Sequence, residues 1–76
     1  MWVSDVIKFR LKKFEDDPVL EARSVEDIPV AYAKAVLRKG QQSHPEAYER
    51  FTKPRYGYWL REFTKMAEGM EFVIIP

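Results

Sequence analysis

Cysteine is absent from the 76 residues and histidine occurs once. Without thiols there is no disulfide framework and no thiolate nucleophile. That composition permits a reducing compartment, and the expected location is the cytoplasm. One histidine and no cysteine cannot assemble the usual zinc or iron–sulfur ligand sets within one chain. Magnesium or calcium would need acidic residues spaced along a loop, and no loop carries that spacing. The three glycines stand singly at 40, 57 and 69, so there is no glycine-rich phosphate loop. No metal and no cofactor is expected.

A dominant charge is missing too. Lys plus Arg number 13 and Asp plus Glu 12, for a formal net charge of +1. Dedicated nucleic-acid binders often carry a much stronger basic excess, so bulk electrostatics do not favour DNA or RNA. No apolar run approaches the ~20 residues of a membrane span, so no membrane partner is expected. The stretch MWVSDVIKFR lacks the order of basic region, apolar core and cleavage site of a secretory signal. The hydrophobic share of 46% argues against disorder. The length suits one compact domain over residues 1–76.

Within VIKFRLK (6–12), Ile7, Phe9 and Leu11 alternate with Lys8, Arg10 and Lys12, the period of a strand with one buried face. A helix competes, because Val3, Val6, Ile7, Leu11 and Phe14 also share a helical face. That arc, however, would enclose Arg10 and Lys13. EDDP (15–18) is turn chemistry, and VLEAR (19–23) is read as a returning strand of weaker alternation. Ser24 and Asp27 are candidate N-caps for a helix over 27–39, with Pro29 in its first turn and Gly40 as its stop. That helix carries two apolar stripes, Val25, Ile28, Tyr32, Ala35 and Val36, and then Val30, Ala33 and Leu37. GQQ (40–42) reads as a loop, and Ser43-His-Pro-Glu46 has capping-box spacing before a helix that ends ahead of Pro54. Helical spacing resumes over 55–68, Gly69 closes it, and MEFVII (70–75) suits a buried strand.

The expected fold is therefore α+β: two to three strands with two to three helices packed on one face, in the order β-β-α-α-α-β. The last strand is expected beside the first. The alternative is an all-α bundle in which 3–14 is helical and 70–75 a packed tail.

No residue set points to catalysis, and the chain is not expected to be an enzyme. Ser43 and His44 are chain neighbours, which seldom reach nucleophile–base geometry and would need a third group. Glu15, Asp16 and Asp17 are read as solvated turn formers rather than a carboxylate pair.

Three surfaces are candidates for binding. KPRYGYWLREF (53–63) looks like a continuous aromatic–basic motif, but each helical residue advances about 100° and splits it. Tyr56, Trp59, Leu60, Phe63 and Met66 then share an inward face. Tyr58, Arg61 and Lys65 face out, a composition enriched at protein contacts. Arg50, Lys53 and Arg55 form a basic corner just before them. Lys8, Arg10, Lys12 and Lys13 could instead track phosphates along the first strand, although lysine and arginine are also what a wet sheet face carries. Val30, Ala33 and Leu37 are the third candidate, a homodimer face.

In its size, its mixed topology and its want of catalytic signatures, the chain resembles in type the small accessory proteins of phages and mobile elements. The likeness rests on no motif. It implies a protein that binds and blocks a host component. The expected function is a small protein-binding inhibitor or regulator using Tyr58, Arg61, Lys65, Arg50, Lys53 and Arg55. A nucleic-acid-binding module is the alternative, and a homodimerising structural protein a further one.

Overall fold

A computed structural model describes residues 6–76. Three strands, β1 (Ile7–Leu11), β2 (Leu20–Ala22) and β3 (Phe72–Ile75), form one antiparallel sheet in the order β2-β1-β3. Two long helices, α1 (Ile28–Ser43) and α3 (Tyr56–Glu68), lie between β2 and β3 in sequence. Between them come a single helical turn, α2 (Pro45–Ala47), a wide π turn (Tyr48–Thr52) and a 3-10 turn (Lys53–Arg55). The α+β class and the element order are as the sequence predicts. The helical alternative for 3–14 fails at β1; its Val3 lies outside the described residues.

The register explains the core. Phe9 pairs with Leu20 on one side and Ile74 on the other, while Ile7 opposes Ala22 and Leu11 opposes Phe72. Residues directly opposite in a sheet share a face, so all of these point toward the helices. Phe9, Ala22 and Ile28 form the buried centre, with Ala31, Tyr32 and Phe72 against it. Phe72 links the layers: its ring meets Phe9 edge-on at 5.5 Å and Tyr32 at 5.2 Å. Burial raises the Tyr32 phenol above its ordinary pKa, with the Asp17 carboxylate acting in the same direction.

α1 therefore packs its first stripe on the sheet. Its other side meets α3, where Ala33 and Leu37 of α1 and Ala67 of α3 are buried. The candidate dimer face is thus largely covered within the chain: Ala33 and Leu37 are closed off, and only Val30 is half-exposed.

Three local expectations need correction. α1 does not stop at Gly40 but continues to Ser43, and no glycine among the described residues has a positive φ. The stop comes from Pro45, whose ring disfavours helical geometry at the residue before it. His44 accordingly sits at φ −138° and ψ 69°. Ser43 is consequently the last residue of α1, and no capping box forms; no side chain caps α2. The helix expected ahead of Pro54 is likewise not continuous. Pro54 offers no N–H, so the Arg50 carbonyl cannot find its i+4 donor. The chain widens there instead, with the Lys53 N–H donating to the Tyr48 carbonyl.

Gly40 now stands inside a helix with no atom within 4 Å of where a Cβ would be. Gly40→Ala should stabilise the protein by about 0.5–1 kcal/mol, since glycine loses more backbone freedom in a helix. A thermal melt should rise by a few degrees; a fall would mean that α1 does end at Gly40.

Candidate functional site

The outward residues of α3 lie where helical counting places them. Tyr58 is 47% exposed, and Arg61 and Lys65 are exposed with it. Lys65 Nζ reaches Glu62 at 3.5 Å, an exposed pair worth little in high dielectric. Inward of these cations runs a shallow groove between α1 and α3. Val30, Leu60, Gly57 and Thr64 line it, and Arg61, Lys65 and the carboxylate of Glu68 border it. Gly57 leaves space there, because an added Cβ would meet no atom within 4 Å. An apolar floor bordered by charges of both signs can receive a small apolar side chain with polar groups beside it.

Arg50, Lys53 and Arg55 are all exposed in the turns that lead into α3. Lys53 Nζ is 3.3 Å from Glu49, whereas no ion pair among the described residues engages Arg50, Arg55 or Arg61. Arg55 is the N-cap of α3, and the first turn of that helix holds no acidic residue. Arg50 also lies in the last turn of the π segment, and Lys53 and Arg55 in that of the 3-10 turn, where cations suit the C-terminal end of the dipole.

The inward face of α3 is less enclosed than its spacing implies. Of that helix only Ala67 is fully buried; Tyr56, Trp59, Leu60 and Phe63 are half-buried, and Met66 is 58% exposed. The cause is coverage: among the described residues α1 is the main neighbour of α3, and one helix cannot cover an arc about 120° wide. Trp59 and Phe63 stack along this flank with centroids 5.9 Å apart, and Tyr58 meets the Trp59 ring edge-on at 5.1 Å from the outward side. The Trp59 indole Nε1 is buried and finds no acceptor among the described residues. The sequence did carry a signal for this flank in the sheer width of the apolar arc.

The basic residues of β1 and the turn after it have different neighbours. Lys8 is exposed, but the Arg10 guanidinium donates back to the Leu11 carbonyl at 2.9 Å. Lys12 pairs with Glu71 at 3.4 Å, and Lys13 lies over the Phe14 ring at 5.9 Å. Ser43 and His44 are both exposed. Among the described residues no group of acidic or histidine side chains could hold a metal ion, and no helix is long and apolar enough to cross a membrane.

Comparison with known proteins returns nothing: no family model, no curated protein and no solved structure matches this chain.

Proposed function

We propose that the chain is a non-enzymatic protein-binding module, an inhibitor or regulator that presents the outer face of α3 to a partner with an acidic surface. The observation that carries this reading is the apolar groove over Val30, Gly57 and Leu60, bordered by Arg61, Lys65 and Glu68, with exposed Tyr58 beside it. Arg50, Lys53 and Arg55 extend positive character to the end of the helix. Tyr and Arg are the residue types that dominate binding energy at protein contacts, because each combines a large contact area with directed polar groups. The likeness in type to phage and mobile-element accessory proteins agrees with such a role.

The test is capture from the native host with the wild-type chain and with Tyr58→Ala/Arg61→Ala, followed by reconstitution with the purified partner. The double variant should keep its melting temperature and lose roughly thirtyfold in affinity, about 2 kcal/mol. Equal binding by both chains would place the contact elsewhere. An unfolded variant would show that these side chains do not face out.

A further inference from the structure

β3 is an outer strand of the sheet, and the direction of its backbone groups can be worked out from its neighbour. The Lys12 N–H donates to the Glu71 carbonyl at 3.1 Å, in the same register that pairs Arg10 with Val73 and Lys8 with Ile75. Hydrogen-bonded and non-hydrogen-bonded pairs alternate along an antiparallel ladder. Glu71, Val73 and Ile75 therefore turn their backbone groups toward β1, while Phe72 and Ile74 turn theirs to the open edge.

Among the described residues no further strand pairs with this edge. Edge strands are ordinarily blunted by shortness, charge, proline or a bulge. β2, the opposite edge, has three residues, one of them Glu21, and Arg23 follows it. β3 has four residues, FVII, with no charge among them; Glu71 precedes it and Pro76 follows it. Its side chains are under-covered as well. Ile74 opposes Phe9 and shares its face, yet Phe9 is 0% exposed and Ile74 54%. Exposed Ile74 and half-buried Phe72, Val73 and Ile75 are the apolar surface that pairing along this edge would cover.

We propose that the occupant of this edge is a second copy of the chain, pairing β3 to β3 about a two-fold axis through Val73. A two-fold normal to the sheet makes the two strands antiparallel and keeps both helical layers on one side. In that register Phe72 of each copy opposes Ile74 of the other, and Val73 opposes Val73. Phe72 and Ile74 are the residues with unused N–H and C=O groups, so about four new backbone hydrogen bonds form. Each Ile74 side chain gains an aromatic neighbour across the strands on the covered face. Centring the axis on Ile74 would oppose Phe72 to Pro76, which has no N–H to donate. The edge is complementary to itself, and a net charge of +1 offers little repulsion to association.

The absence of cysteine makes the register directly testable. Residues 73 of the two copies form a non-hydrogen-bonded pair with Cα atoms about 4.5 Å apart, inside the range of a disulfide. Residues 75 of the two copies lie about 14 Å apart along the strands, beyond that range. Under mild oxidation Val73→Cys should link into a dimer and Ile75→Cys should not. Sedimentation equilibrium of the unmodified chain should give twice the chain mass. Ile74→Lys, at an exposed site, should restore the single mass with unchanged far-UV circular dichroism. A single-chain mass at every concentration, or equal linking at 73 and 75, overturns the proposal. Should Ile74→Lys unfold, the linking comparison still decides. A monomer would leave the reading of the α3 surface untouched, because that face lies on another element.

Discussion

Replacing Phe9 with alanine is expected to unfold a large share of the chain at room temperature. Phe9 is the one large side chain among the described residues that is fully buried. It sits on the central strand, between β2 and β3, and its ring meets Phe72 edge-on. Removing such a ring costs about 3–5 kcal/mol, the lost transfer energy plus a cavity that neighbours fill only in part. A chain of this length has a total stability of about 4–11 kcal/mol. With Ala22, Ile28, Ala33, Leu37 and Ala67 as the other buried apolar residues, the lower part of that range applies. Urea unfolding followed by circular dichroism measures the loss. Phe9→Leu, which keeps most of the volume, should cost under about 1.5 kcal/mol. A loss for Phe9→Ala under about 1 kcal/mol would show that the sheet and α1 are held together by something other than this ring.

The second large effect is expected at Ala33, and from the opposite cause. Ala33 is 0% exposed and Ala67 1%; small side chains on both helices allow α1 and α3 to approach closely. Ala33→Leu adds volume where no space exists and should destabilise the protein by about 1–3 kcal/mol, pushing α3 away from α1. Trp59 emission should shift to the red as α3 loosens. Lys34→Leu, one residue along the same helix and exposed, should change stability by no more than about 0.5 kcal/mol. Equal effects at the two positions would mean that Ala33 is not at a packed seam.

Much of the fold was legible in local periodicity. The alternation of Ile7, Phe9 and Leu11 identified β1, and the spacing of Tyr56, Leu60 and Phe63 identified α3, because residue direction within one element depends only on its own geometry. The outward facing of Tyr58, Arg61 and Lys65 followed from the same counting. Helix ends were less legible. Gly40 and Pro45 are both valid stops, and choosing between them depends on whether tertiary packing offsets the cost of a helical glycine.

The sequence by itself pointed to the α+β class and the order of the main elements, and it lacks the ligand sets for zinc or iron–sulfur chemistry. Those properties reside in composition and in neighbours along the chain. Only the tertiary structure decided which apolar faces are covered. It closed Ala33 and Leu37 inside the α1–α3 seam, and it left Met66 and Ile74 largely exposed although their spacing matches that of buried residues. Periodicity reports the direction in which a side chain points; whether anything lies there depends on how many layers the chain can supply. The described residues supply one sheet and two long helices, too few layers to cover every apolar face.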